Sequence, residues 1–419
     1  MTEPASTKKR SEIRDGQGIG RQDILVRLVD QGLWSAAFFA FNLVAAAILN
    51  VADFASLTVC TSIGVILAAA VRAYAVDGRV IAGSRSKLST RNSIERRSVL
   101  ISGVAGAGIA SLLSFIWLSA GGSLTDWWLP VLAGAIVLAD GPHYSATMYG
   151  LFIRAALTAA AYVTLAGAAI ILNYFHVSVP VGLAWVAALL LVWLVGLYCY
   201  RPMPWVNAPF RKADVAVRLS GESLYSALGG QLGILVIFVT SPPDDTAGIR
   251  LAYSLVFAPI FMIVQGLSPL FLTKMAQLNF SSRRDQYRLL NKWVLGSACG
   301  VVGSGFIGWL LSTTVWKGSN FEHVIPFLVP VGASMLGSVI LDSALLLMRF
   351  TVDPKITHRL RLATVAVEAV TQTVLAVVWG SSGLVTALIV GFAIKLGLGL
   401  VIFLRNRSGA SVESGSIAI

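Results

Sequence analysis

Two apolar stretches of the chain carry polar side chains at helical spacing. Ser334, Ser338 and Asp342 recur every four residues, as do Thr364, Glu368 and Gln372, and Lys395 follows in the next apolar run. Positions i and i+4 share a helix face, so each set forms a stripe that ends in, or centres on, a carboxylate. Counting about 1.5 Å of rise per residue places Lys395 at roughly the depth of Glu368, within reach of an ion pair. An ionisable group in hydrocarbon costs at least about 2.5 kcal/mol, so such groups face a cavity or a partner. Two uses are open for the Glu368 and Lys395 pair: a tie between helices, or the handling of substrate or a coupling ion. A pair that breaks and re-forms serves both. The carboxylates have the chemistry to carry H⁺ or Na⁺.

The first half of the chain holds a thinner set. Gln31, Ser35 and Asn42 lie in one apolar run, Arg72 near the end of the next, and Asp140, His143, Tyr144 and Thr147 share a face further on. Gly141 and Pro142 fall within that last group and predict an interrupted helix bordering a cavity, with His143 as a hydrogen-bonded wall residue. Glu222, with Tyr225 and Ser226 on its face, sits about one turn inside another span. Arg250 follows Asp244 and Asp245, so its options are a local salt bridge or contact with an anion through the forked guanidinium donors. The candidates for a substrate cavity or coupling site are thus Gln31, Asn42, Arg72, Asp140, Glu222, Arg250, Asp342, Glu368, Gln372 and Lys395.

The elements that must position these residues follow from composition. Hydrophobic residues make up 56% of the 419 and charged residues only 12%, with a mean hydropathy of +0.77, which excludes an ordinary soluble domain. Apolar windows of about 20 residues predict spans near 29–50, 55–76, 99–119, 127–147, 154–174 and 181–200, then 219–240, 247–273, 292–313, 324–348, 361–380 and 384–404. The expectation is an all-α polytopic membrane protein of about twelve spans in two six-helix bundles, 29–200 and 219–404. A basic tail, 1–28, a linker, 201–218, and a second tail, 405–419, complete it. Lys and Arg concentrate in alternate connections and in both tails, with Lys317 the exception, which predicts cytoplasmic termini. The tail before residue 29 lacks the apolar core of a signal peptide. Basic loops beside anionic lipid explain the net charge of +12 without nucleic acid. Cys60, Cys199 and Cys299 fall inside spans and are odd in number, so no disulfide framework is expected. Trp127, Trp128, Trp185, Trp193, Trp316 and Trp379, near span ends, predict an interfacial belt. No phosphate-binding glycine loop precedes a Lys-Ser/Thr pair, and the four histidines are far apart, so neither a nucleotide nor a metal cofactor is expected.

A family resemblance rests on two stretches. Residues Gly248–Leu255, continuing through Pro259 and Gln265–Pro269 to Phe271–Met275, resemble the eighth span of Wzx-type polysaccharide flippases. Val71–Asp77 resembles the Arg-containing end of their second span. These flippases belong to the multidrug, oligosaccharidyl-lipid and polysaccharide exporter superfamily. The resemblance implies a V-shaped pair of bundles rocking between inward-open and outward-open states. It also implies a lipid-linked saccharide as substrate, a bacterial plasma membrane location, no catalytic activity, and membrane lipid and cell-envelope glycosyltransferases as partners. Competing readings are a drug or cation antiporter of the same superfamily, a membrane glycosyltransferase or polymerase, and a non-transporting scaffold. The intramembrane set mixes acids with bases, so the sign of the substrate's charge stays open.

Overall fold

The computed structural model describes residues 21–77, 79, 94–120, 127–174, 180–205, 213–256, 283–315, 320–351 and 354–414. Helices joined by short turns make up these residues, and no strand occurs among them. Hydrocarbon offers no partner to a backbone N–H or C=O, and a helix satisfies both within one segment. In chain order the helices are α1 (Arg21–Ile48), α2 (Val51–Arg72), α3 (Arg96–Ala120), α4 (Trp128–Met148), α5 (Phe152–Tyr174) and α6 (Val181–Cys199). They continue as α7 (Ala213–Thr240), α8 (243–256), α9 (Arg283–Leu310), α10 (Ile325–Thr351) and α11 (Pro354–Ser414). α1 starts at Arg21 and α11 runs to Ser414, so regular helix reaches into both stretches expected as tails.

Nine helical stretches among the described residues are long and apolar enough to cross a membrane. One of them, Ile356–Leu404, has 49 residues, far more than the roughly 20 needed for one crossing. It is broken at Gly380, whose φ of 60° and ψ of −138° suit a residue without a Cβ. At Gly383 a Cβ would collide with the Leu375 carbonyl, so the two arms fold back tightly on each other. This turn is the expected connection between the eleventh and twelfth spans. α4 is not among the nine because Asp140, Pro142 and His143 lower its hydropathy, yet its 21 residues give a length of about 32 Å. It is enclosed by protein, against α2, α3 and α6. The expected eighth span, 247–273, is described only as far as residue 256.

Helices α1 to α6 pack on one another, with α5 against α1 and α6. α9 and α10 pack together, α10 lies along α11, and α7 packs on α11. α7 also crosses to α2 and to the π-helical turn Ala73–Asp77 that ends it. At this seam the Ser220 and Ser223 hydroxyls donate to the carbonyls of Ala70 at 3.0 Å and Ala69 at 3.1 Å. Close approach needs small residues: Gly64 of α2 lies against the Ala133 backbone of α4. α2 itself starts cleanly because the Asn50 side chain accepts from the Asp53 N–H at 2.9 Å.

Two expectations are corrected here. α4 runs unbroken through Pro142, and Gly196 of α6 leaves room for the proline ring. Trp185 and Trp128 are buried and form no interfacial belt, whereas Trp127 and Trp379 are exposed. Trp185 is core because its indole N–H donates to the Tyr162 hydroxyl at 2.6 Å, which satisfies a polar group in an apolar interior. Trp316 lies outside the described residues. All three cysteines are free; Cys60 and Cys199 are buried, and Cys299 is exposed.

Candidate functional site

A cavity of about 680 Å³ opens between the α1 to α6 group and helices α7 to α11. Of the candidate residues, Gln31, Asn42, Arg72, Asp140, Arg250, Asp342, Glu368 and Lys395 lie on its wall. Gln372 does not: it is buried behind the wall and donates its amide to Glu368 Oε1 at 3.3 Å. Glu222 lies on α7, but its side chain is outside the described residues, as are Pro259 and the stretch 265–275.

On one side the wall is built from α1, α2 and α4. Arg72 Nε lies 3.2 Å from Asp140 Oδ2. That carboxylate oxygen has no aligned hydrogen bond, so the contact is an ion pair by distance alone. The guanidinium also lies over the Tyr144 ring, 5.2 Å from its centroid, and the Tyr144 hydroxyl donates to Asp77 at 2.9 Å. The π turn at 73–77 widens the helix where both Arg72 and Asp77 meet α4. His143 fulfils the wall role expected of it, and its partner is Asp30, 2.8 Å from Nε2, with both side chains almost fully buried. Thr147 adds a donor to Asp30 at 3.4 Å. Asn42 donates to the Phe38 carbonyl at 2.9 Å and leaves its own Oδ1 without a partner.

The other side comes from α8, α10 and the two arms of α11. Because the arms fold back at Gly380, Glu368 and Lys395 meet although 27 residues separate them, with Nζ 2.5 Å from Oε1. Lys395 also donates to Ser338 of α10 at 2.9 Å, so three helical segments converge on one ammonium. Arg361 reaches Asp342 at 3.7 Å; Asp342 is exposed, at the cavity's margin.

Charge pairing is therefore nearly complete. The wall carries Arg72, Arg250, Arg361 and Lys395 against Asp140, Asp342 and Glu368. Among the described residues the first, third and fourth of these bases each have a carboxylate, and Arg250 has none. The local salt bridge that Asp244 offered does not form, since Asp244 faces His323 at 3.5 Å. Arg250 is only 5% exposed, its Nε makes no hydrogen bond, and its guanidinium sits 6.0 Å from the centroid of the Phe38 ring of α1.

Sequence reasoning missed Asp30, Trp34 and Phe38. Asp30 stands between the basic tail and the first span, where an acid reads as interfacial. The available signal was the four-residue spacing of Asp30, Trp34 and Phe38, which places all three on one face of α1.

No protein-family model matches the chain, and no curated protein matches it. Solved structures do. The chain is similar to an inward-facing multidrug resistance MATE family transporter of the MOP superfamily, at 15% identity and a TM-score of 0.61, over 94% of this chain and 100% of that one. It is also similar to an outward-facing structure of such a transporter, at 13% identity and a TM-score of 0.58, over 94% of this chain and 95% of that one. A third is a MOP superfamily transporter from Pyrococcus furiosus, reported with a binding pocket of reversed polarity that suggests a different function. It matches at 13% identity and a TM-score of 0.55, over 93% of this chain and 94% of that one. Over nearly its whole length, this chain has the fold of the MATE transporters.

Proposed function

We propose that the protein is a transporter that flips an anionic lipid-linked saccharide across a bacterial plasma membrane by alternating access between its two groups of helices. The observation that carries this reading is Arg250, a buried cation on the cavity wall with no carboxylate beside it among the described residues. An isolated buried charge is costly, and a ligand anion offsets that cost through charge-assisted bonds to the guanidinium. The substrate's phosphate or acidic sugar supplies such an anion. Its hydroxyls, each costly to strip of water, find replacement partners in Gln31, Asn42, Ser334 and Ser338. Relatives of this fold in inward-facing and outward-facing forms support the alternating motion.

On this reading the termini are cytoplasmic, membrane lipid holds the substrate's tail, and cell-envelope glycosyltransferases supply the headgroup. Coupling to H⁺ or Na⁺ would fall to the wall carboxylates. Export of organic cations is the weaker reading, because each wall carboxylate already faces a base. The test is flipping in proteoliposomes, following exposure of a fluorescent polyprenyl-linked oligosaccharide to an external glycosidase. Arg250→Ala should slow flipping by about tenfold or more, since bonds to a charged group contribute about 1.5 to 3 kcal/mol. Arg250→Lys should retain part of the rate. Wild-type protein that flips no lipid-linked saccharide but exchanges a soluble organic cation would overturn the proposal.

A further inference from the structure

Opposite the Ser338, Glu368 and Lys395 cluster of α10 and α11, α1 contributes two aromatic rings to the wall, Trp34 and Phe38, beside the polar Gln31, Ser35 and Asn42. These rings are held from behind. Trp34 is stacked on His143, with centroids 4.0 Å apart and planes 4° from parallel. His143 is in turn held by Asp30, and Tyr162 leans on Trp34 at 5.1 Å while its hydroxyl is taken by Trp185. Phe38 stands edge-on to Trp185 at 5.2 Å. One indole face of Trp34 is thus occupied by His143, so whatever stacks on it from the cavity meets the other face.

A fixed aromatic face is a platform for a ring that presents C–H bonds, because the π face is negative and aliphatic hydrogens carry partial positive charge. Sugar rings are amphiphilic in this way: their C–H faces are apolar and their rims carry hydroxyls. Trp34 and Phe38 are one turn apart, about 6 Å along α1, and Arg250 sits over Phe38. The ring platform and the unpaired guanidinium are therefore neighbours at the scale of one sugar residue.

Resting on the flippase reading, we infer that this cavity selects a sugar ring that carries its negative charge on itself or on its anomeric phosphate. The C–H face lies on Trp34 and the anionic group on Arg250, while the hydroxyl rim turns toward Ser334, Ser338 and the opposite wall. A saccharide whose nearest charge lies several residues away engages one subsite and not both. The spacing thus narrows the substrate to an acidic sugar or to the first sugar on the phosphate, two sources of the same ring-plus-anion chemistry.

Saturation-transfer NMR on the purified full chain in nanodiscs tests this with glucose 1-phosphate, glucuronic acid, glucose and inorganic phosphate. The two charged sugars should bind more tightly than either glucose or phosphate, with saturation concentrated on the C–H protons of one ring face. Whichever binds tighter identifies phosphate or carboxylate as the preferred anion. Trp34→Leu should weaken charged-sugar binding by about two- to tenfold, the range expected for loss of one aromatic contact. It should leave phosphate binding unchanged, and Trp34→Phe should retain most of the affinity, which separates loss of stacking from loss of fold. Arg250→Ala should abolish the advantage of charged over neutral sugars. The inference is overturned if phosphate alone binds as well as glucose 1-phosphate, if Trp34→Leu changes nothing, or if no sugar binds. Parallel flipping assays keep the two claims apart: wild-type flipping that is insensitive to Trp34→Leu sinks the ring subsite alone, and no flipping of any lipid-linked sugar sinks the transport reading.

Discussion

Removing one charge from the Glu368 and Lys395 pair should destabilise the protein far more than removing both. The two side chains are only 12% and 7% exposed, and the ion-pair distance is 2.5 Å. Breaking a buried pair from one side leaves an uncompensated charge and costs about 3 to 5 kcal/mol. The lower end applies here, because a lone Lys395 keeps Ser338 and the cavity, and a lone Glu368 keeps Gln372. Glu368→Gln and Lys395→Met should therefore each cost about 3 kcal/mol. The double variant should lie within about 1 kcal/mol of wild type, since replacing a whole buried pair is often near neutral. That corresponds to a coupling of about 5 kcal/mol or more. Thermal unfolding in detergent can be followed with a thiol-reactive fluorophore, because Cys60 and Cys199 are buried and react only on unfolding. Cys299 is exposed and should be replaced by serine in every variant. Each single variant should melt lower by roughly 5 °C or more. Additive losses, or single variants that melt with wild type, would refute the pair as a structural unit. In the flipping assay, a double variant that is stable but inactive identifies the pair as a contact for substrate or coupling ion as well as a tie.

Further outcomes follow from the same structure. Gly380→Ala should cost about 1 to 3 kcal/mol, because φ of 60° with ψ of −138° is strained for any residue with a Cβ; unchanged melting would show that the turn tolerates one. Ser220→Ala combined with Ser223→Ala removes two hydroxyl-to-carbonyl bonds between α7 and α2, each worth about 0.6 kcal/mol in a membrane interior. Spin-label distances between the ends of these helices should broaden, and an unaltered distribution would mean that the seam is held by packing alone. Asp30→Asn should lower stability by about 1 to 3 kcal/mol through the weakened His143 contact. It should also loosen Trp34, so glucose 1-phosphate binding should fall by about twofold while phosphate binding holds. Equal losses for both probes would place Asp30 outside the ring subsite.

The span pattern was legible because lipid imposes one strong rule, a long apolar helix for each crossing. The equal depth of Glu368 and Lys395 was legible for a related reason, since a short turn between two spans equalises depth; that they pair was open until the folded arms brought them together. Contacts between distant helices were not legible in that way. Whether Arg250 pairs with Asp244 depends on where His323 lies, and His323 arrives from a different connection. Trp185 occupies a position in the sequence that suits an interface, yet the Tyr162 hydroxyl 23 residues earlier draws its indole into the core. Pro142 marked a cavity-lining helix but not its interruption, since the small Gly196 makes room for the ring and the helix continues past it. Asp30 illustrates the remaining gap: a carboxylate at a span boundary carries no sign in the sequence that a histidine 113 residues later will cover it.

The charge arrangement bears on how the two groups of helices could move. Arg72 with Asp140 lies between α2 and α4, Arg361 with Asp342 between α10 and α11, and Lys395 with Glu368 within α11. Each pair joins helices of one group, so rocking one group against the other separates none of them. Arg250 differs: it belongs to α8, and the ring it covers is Phe38 of α1, across the cavity. Among the described residues it is thus the wall cation whose contact spans both groups of helices. Arg250 is 5% exposed in this structure; if rocking opened the cavity further and admitted water to the guanidinium, closing it empty would desolvate an unpaired charge, which is unfavourable. On the proposed transport reading, an anion on Arg250 would remove that penalty, and closure would be easier with substrate than without. On that reading the unpaired arginine would then be both the recognition group and the element that makes the conformational change conditional on cargo, a coupling that needs no ionisable group beyond those already on the wall.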